Sequence, residues 1–524
     1  MFSKTDVSPD IAFDLTNCLS FFQNDSRGRT GDSHEWQFLK DVKKKGLPEP
    51  IKELCKTFIG KETRKMSTNR IGTTPRNSAN ISLQLEQITF NSIRKALPDK
   101  SIIRACHEAH HRYRCRVITP ILTVLHMVLA AIWPEESFNA SWQLLWSNAV
   151  GRYPELAGRC PSPASVTKAR YRLPLAVWRE LFDWTCDKIK ILSGPFARWK
   201  GHRIVLLDGT CVSMPDTADL FKQFGTNTGY NGKGKYPLAR MVTVCLANTM
   251  AIIDYTLGCY TESEDSLAFK LFTKLDKGDL LVGDRRFAAA HYYARYRSMG
   301  LEFLTRIHQC TKMSGIKRIC SYGNNDFIGW LKINPVYLRR DPSLPAKLMV
   351  RFIQTTFRIR GRQTVVWLAT SLLDGQKYPA CEIAQIYASR WRIETLFRQT
   401  KINMGTDVLR SRSAEAIQKE IAARLIAVNL VRMIMLESAA NSGTDPLRLS
   451  FAYTVRAIIG FAPALATEPQ WKLANIYRAM LCEIAAHLVT ERPDRIEPRA
   501  IRRERVHYPS LKTTRVQWRA AYAA

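Results

Sequence analysis

Apolar residues recur at helical spacing over residues 81 to 108 and again over 119 to 132. A third helix is predicted after the turn region of Pro161 and Pro163, with Ser165 or Thr167 near its start. Between Lys61 and Asn80 no such period exists, and that polar run reads as a loop or an interdomain path. Residues 1–195 therefore form a mainly helical N-terminal region. The most apolar run, 117 to 133, holds Thr119, Pro120, Thr123 and His126 and is short for a bilayer, so it is expected to be a core helix.

The pattern changes at Ile204. IVLLD, residues 204 to 208, predicts a short buried strand that ends in an acid and is followed by Gly209. The segment GTNTGYNGKGKY, 225 to 236, reads as a mobile loop. It lacks the spacing and terminal hydroxyl of a nucleotide-binding GxxxxGKS/T loop, so ATP binding is not supported. Strands follow at 238 to 247 and 250 to 257, then a helix over Ser266 to Lys274. DLLVGD, 279 to 284, is another strand ending in an acid; HYYARYRSMG continues as a helix and LEFLTRI returns as a strand. From 309 to 362 the pattern loosens into an insertion with antiparallel elements, VYLRR and MVRFIQTTFRIR being its strand candidates. TVVWLATSL, 364 to 372, resumes a buried strand, and the helix that carries Tyr387 starts near Pro379. Helices return over 413 to 437, 450 to 459 and 471 to 487. This order favours a mixed α/β core. Its two parts span 196–308 and 363–405 around the β-rich insertion at 309–362, and a helical region with a basic tail follows at 406–524.

A chain of 524 residues with 46% apolar content is folded and has room for two to four structural units. Its 78 Lys and Arg against 46 Asp and Glu leave a formal charge of +32, which suits nucleic acid, an anionic membrane or plain solvation. The start of the chain has no cationic segment leading into a clean apolar run, so neither a secretory signal nor membrane anchoring is expected. From Arg492 to Arg519 nine Arg and Lys face three acids, a candidate DNA contact. Lys168, Arg170 and Arg172 either give the region 1–195 a DNA contact, which makes it the expected N-terminal DNA-binding region, or form a solvated helix face. The thirteen cysteines include no CxxC pair, and the histidines show no zinc-finger spacing; reduced cytoplasmic thiols account for them.

Chemistry concentrates in YASRWRIETLFRQTK, residues 387 to 401. On a helix Tyr387, Arg390, Glu394 and Lys401 share an arc of roughly 60°. An ordinary i,i+4 pair explains Arg390 and Glu394 but not Tyr387 and Lys401 on the same side. Asp208 and Asp284, each taken alone, read as turn or capping acids. Three carboxylates together can hold two Mg²⁺ ions about 4 Å apart around a scissile phosphate. Arg and Lys beside them would offset the DNA backbone, and Tyr387 could hydrogen-bond a phosphate or stack on a displaced base.

With these residues in view, the chain resembles bacterial insertion-sequence transposases of the DDE type, specifically the family with a Y-x2-R-x3-E-x6-K motif. Tyr387, Arg390, Glu394 and Lys401 match that motif at every spacing; LLDGTCVSMPDT around Asp208 and VGDRRF around Asp284 match its two aspartate segments. SVTKARYRLP, the stretch from 405 to 432 and PRAIRRERVHYP resemble flanking regions of the family. The resemblance implies an RNase H-like core with a mostly β insertion, and Asp208, Asp284 and Glu394 as ligands of Mg²⁺, with Mn²⁺ as a substitute. It implies that Arg285, Tyr387, Arg390 and Lys401 contact DNA, and that Trp330, in the insertion, is the candidate to hold a flipped base. The implied partners are element-end DNA with terminal inverted repeats, target DNA and further copies of the chain; the implied location is the bacterial cytoplasm, on DNA. Two alternatives stay open: a metal-dependent DNA endonuclease without strand transfer, and a transposon-derived DNA-binding protein that no longer catalyses.

Overall fold

The structure, a computed structural model, describes residues 91–489 except 114–116, 135, 153, 197, 230–231, 235, 309–310, 312, 324, 360–361 and 408, together with 517, 520 and 521. The polar run at 61 to 80, the predicted helix before residue 91 and nearly all of the basic tail lie outside the described residues.

Six helices come first: α1 (Asn91–Ala96), α2 (Asp99–Glu108), α3 (Pro120–Ile132), α4 (Phe138–Arg152), α5 (Pro163–Arg172) and α6 (Leu175–Ser193). Helix α3 begins where the side chain of Thr119 accepts from the Leu122 N–H with Pro120 next to it, and all thirteen of its residues are buried. It is the expected core helix. Helix α5 starts earlier than Ser165 or Thr167, because Ser162 caps it and Pro163 opens its first turn.

The strands and helices of the centre are β1 (Arg198–Trp199), β2 (His202–Ser213), α7 (Ala218–Phe224), β3 (Thr228–Gly229), β4 (Gly232–Lys233), β5 (Leu238–Leu246), β6 (Ile252–Cys259), α8 (Glu264–Phe269), β7 (Leu280–Gly283), α9 (Ala290–Ser298), β8 (Glu302–Arg306), β9 (Lys317–Gly323), β10 (Asp326–Lys332), α10 (Pro335–Arg340), β11 (Lys347–Ile359) and β12 (Arg362–Thr370). One open sheet runs β6-β5-β2-β7-β8-β12-β11-β10-β9, with β1 on β2. The β6, β5 and β2 neighbours are antiparallel, whereas β2, β7 and β8 are parallel. This mixed sheet, flanked by helices, is the expected RNase H-like α/β fold. The strands beyond β8 continue the sheet: β12 pairs antiparallel with β8, and β11 with β12 over nine residues.

Four local expectations change. VYLRR is helical, not a strand, because Asn334 caps Val336 and Pro335 sets the first turn of α10. The glycine-rich segment holds the small hairpin of β3 and β4. Strand β2 does not end at Asp208 but runs five residues further, paired with β5 as far as Ser213. The helix after Pro379 is two helices, α11 (Ala380–Ser389) and α12 (Trp391–Asn403), which meet at Arg390. There the Arg390 N–H donates to the Tyr387 carbonyl and the Ile393 N–H to the Arg390 carbonyl, the three-residue bonds of a tightened turn.

Three helices close the chain: α13 (Ala414–Ser442), α14 (Phe451–Thr467) and α15 (Gln470–Ala486). The 29-residue α13 is buried on nearly every side, packs against α3, α6 and α15, and stops at Gly443, whose φ of 66° suits a residue without a Cβ. Among the described residues no helix is long and apolar enough to cross a membrane.

Candidate active site

Strand β2 pairs with β7 in parallel from Ile204↔Leu280 to Leu206↔Val282. Carried two residues on, that register brings Asp208 abreast of Asp284, about one strand spacing of 4.8 Å away. Asp208 is thus set within the sheet, and Asp284 one residue past the end of β7. Asp284 leaves β7 as the cap of a 3-10 turn over Arg285–Phe287, its Oδ1 accepting from the Arg286 N–H at 2.8 Å. Asp208 Oδ1 accepts from the Gly209 N–H at 2.8 Å.

Glu394 enters from α12. Its Oε1 lies 3.3 Å from Arg390 Nη2, and Arg390 Nη1 lies 3.6 Å from Asp208 Oδ2. The guanidinium therefore stands between two of the three acids. Its Nε is buried and has no hydrogen-bond partner. An open cleft of about 450 Å³ lies here, lined by Asp208, Gly209, Glu394, Arg398, Lys401 and Asp407 among others.

Burial pushes the Asp208 carboxyl up to about 6; the Gly209 N–H and Arg390 oppose that rise, and the charges of Asp284 and Glu264 add to it. The side chain of Asp208 is 19% exposed and that of Glu394 50%. Tyr387 is buried against Phe357 of β11, and burial raises its phenol while Arg390 pulls it back. Lys401, partly buried, is lowered by loss of water, with Cys211 and Asp407 opposing.

The structure thus gathers Asp208, Glu394 and Lys401 on one cleft, with Arg390 between the two acids, Asp284 near Asp208, and Tyr387 packed against Phe357. Arg285 follows Asp284 and is exposed. Trp330 is elsewhere: it sits on β10, five strands from β2 or on the order of 24 Å along the sheet, with Lys347 Nζ 4.4 Å from its ring centre. Arg170 does not join Lys168 and Arg172 on a surface. Its guanidinium packs on the Phe138 ring and donates to Ser411 Oγ.

Reading the sequence alone missed Glu264, the first residue of α8, which faces Gly209 and pairs with Arg286. The available signal was the run TESEDS at the end of β6, with Ser263 placed to cap a helix. Asp407, on the cleft wall, carried no sequence signal.

The donors here are carboxylate oxygens, which suit Mg²⁺ or Mn²⁺ better than softer metals. Among the described residues, no three of His, Cys, Asp and Glu stand close enough to hold an ion as they are. The Arg390 cation stands between Asp208 and Glu394. A partly buried Asp208 with the charges of Asp284 and Glu264 close to it fits a divalent cation by the chemistry of its donors.

Residues 199–430 match the family described as transposase DDE domain. The chain is also similar to a transposase of insertion sequence element IS4 from Escherichia coli (strain K12), with 24% identity over 352 residues, 67% of this chain and 78% of that one. A putative transposase of element IS186A from the same strain and a transposase of element IS421 from Escherichia coli are each 25% identical over 272 residues, 45% of this chain and 67% of theirs. The family model and these three relatives share the description transposase, and the matched span holds Asp208, Asp284 and Glu394.

Proposed function

We propose that this chain is a DNA transposase that cleaves at terminal inverted repeats and joins the element end to target DNA, with Asp208, Asp284 and Glu394 as the ligands of Mg²⁺, or of Mn²⁺ in its place. The observation that carries this reading is the Arg390 guanidinium lodged between Asp208 and Glu394 beside Asp284. It marks the point where carboxylates from a strand and from a helix converge on positive charge. When bound, divalent ions would activate water or a 3′-hydroxyl and stabilise charge on the leaving oxygen.

The chain's own residues then have distinct tasks. Asp208 lies within β2 and Asp284 caps the turn that follows β7, each accepting a backbone N–H that fixes its carboxylate before DNA arrives. Glu394, half exposed on α12, is the acid with room to move. Arg390 has a spare buried Nε–H donor, and a phosphate oxygen would satisfy it. Tyr387 stays protonated at neutral pH and can donate its O–H. Lys401 on the cleft wall and the exposed Arg285 would meet the negative backbone. In the same reading Trp330 would hold an unstacked base on DNA that extends along the sheet.

In the proposed reaction water first cuts the element end and frees a 3′-hydroxyl. That hydroxyl attacks a target phosphodiester, so one ester replaces another and no ATP is consumed. The DNA complex would be a homo-oligomer on bacterial DNA in the cytoplasm. The test is a labelled duplex bearing the inverted repeat from the DNA that flanks the coding sequence, incubated with protein, Mg²⁺ and target DNA. Joined product is the expected result. Cleavage without joining would make the chain an endonuclease, and binding without either would make it a DNA-binding protein.

A further inference from the structure

Glu264 occupies the position from which both strand-borne aspartates are reached. It is the first residue of α8, whose start is fixed by Ser263 Oγ accepting from the Ser266 N–H at 3.3 Å. Its carboxyl group lies against Gly209: a Cβ there would come within 2.7 Å of Glu264 Cδ, 2.9 Å of Cγ and 3.1 Å of Oε1. Gly209 lies within the regular pairing of β2 and β5, so what position 209 requires is space. On its other side Glu264 Oε2 stands 3.5 Å from Arg286 Nε. The backbone N–H of that same Arg286 is the donor to Asp284 Oδ1. A continuous path results, from Asp208 through Gly209 to Glu264 and through Arg286 to Asp284.

We propose that Glu264 is a positioning residue of the acidic site: seated on Gly209 and paired with Arg286, it fixes the turn carrying Asp284 beside the strand carrying Asp208. This rests on the reading of Asp208 and Asp284 as cation ligands. Glu264 itself need not touch the ion. The pair is only partly shielded, with Arg286 50% and Glu264 17% exposed, so its worth to folding is small. A first-turn acid also favours the start of a helix by a modest amount. If those were its only roles, changing Glu264 would shift the melting temperature slightly and leave cation binding alone.

The experiment is Mn²⁺ titration of the full chain by electron paramagnetic resonance, with thermal melting alongside. The variants are E264Q, E264A, R286A, E264A/R286A, G209A and G209A/E264A. Loss of an outer partner of this kind commonly weakens metal binding about tenfold or more, and that is expected for E264A and R286A with little change in melting. E264Q, which keeps the size and loses the charge, should fall the same way. The E264A/R286A variant should be no worse than the weaker of its single changes, because both act through one contact. G209A should weaken binding by pushing Glu264 away, and adding E264A should bring no further loss. Wild-type Mn²⁺ affinity in E264A, or a G209A loss that adds fully to that of E264A, overturns the proposal. If D208A and D284A also bind Mn²⁺ as the wild type does, the cation reading fails and the proposal fails with it.

Discussion

Arg390 Nη1 stands 3.6 Å from Asp208 Oδ2, on the side of its guanidinium away from the contact with Glu394. The ion pair is largely shielded, with Arg390 9% and Asp208 19% exposed, so the arginine is the principal counter-charge of the aspartate. On the proposed cation reading, the place an ion would take is filled here by a side chain. Admitting a divalent ion means displacing a guanidinium from between two carboxylates.

Replacing Arg390 should therefore separate metal binding from DNA work. In R390A without DNA, Mn²⁺ should bind as tightly as in wild type or several-fold tighter, since a competing charge is gone. Cleavage of an element-end duplex should fall about a hundredfold, the usual scale for loss of a positioned phosphate contact. Calorimetric Mn²⁺ titration and single-turnover cleavage read the two effects. A variant that loses Mn²⁺ affinity as well would show that Arg390 supports the acids instead of competing for them.

Asp208 costs stability in the metal-free protein. Its carboxyl is raised from 3.8 to about 6, so the penalty is absent below the unfolded value, builds up between the two and is complete above about 6. At pH 7.5, D208N should be more stable than wild type by up to about 3 kcal/mol in urea unfolding, and saturating Mg²⁺ should narrow that gap by stabilising the wild type alone. Equal stability of the two proteins at pH 7.5 would mean that the acid is well solvated.

Which parts of this were legible in the sequence follows from how each residue is held. The strands carrying Asp208 and Asp284 could be read because Val205, Leu206, Leu207, Leu281 and Val282 are buried in the sheet and form continuous apolar runs. Arg390 keeps right-handed helical angles, φ −52° and ψ −36°, across the junction of α11 and α12, so the break there left no mark on the helical pattern of the sequence. The extension of β2 past Asp208 was not legible: apart from Val212 its outer residues are only half buried, and they owe their strand state to β5 across the ladder. VYLRR has strand-like composition, and only the Asn334 cap with Pro335 makes it helical. Glu264 was hidden because its role depends on a neighbour 55 positions away, Gly209.

The helical region carries a pH-sensitive core residue of its own. His126 on α3 is fully buried; Nε2 lies 2.8 Å from the Phe138 carbonyl, and Nδ1 has no partner. Burial lowers it from 6.5 to about 4. The sign is clear: the stability from keeping it neutral is full above pH 6.5 and is lost as pH falls towards 4, a change of about 3 kcal/mol. Urea unfolding at pH 7.5 and at 4.5 should show that drop in wild type and a smaller one in H126Q. An equal drop in both would assign the acid sensitivity to other groups.

Glu420 holds the segment between α12 and α13. It is 1% exposed, accepts the N–H groups of Arg410 and Ser411, and pairs with Arg424 Nη2 at 2.6 Å, while Arg424 Nη1 donates to the Met404 carbonyl. E420A strands a buried guanidinium and two N–H groups, so a loss of about 3–5 kcal/mol is expected in urea unfolding. Asp407 lies in the same segment, so the cleft should loosen too. An E420A variant within about 1 kcal/mol of wild type would mean that water replaces these contacts.

The central claim is that Asp208, Asp284 and Glu394 act as one metal-binding set. Its most direct measurement is single-turnover cleavage and joining of an inverted-repeat duplex by wild type, D208A, D284A and E394A across a range of Mg²⁺ and Mn²⁺ concentrations. Each variant should lose on the order of a thousandfold or more, as expected when the several kcal/mol supplied by bound metal is removed, while retaining DNA binding. Preserved metal-dependent cleavage and joining in any one of the three would contradict the assignment.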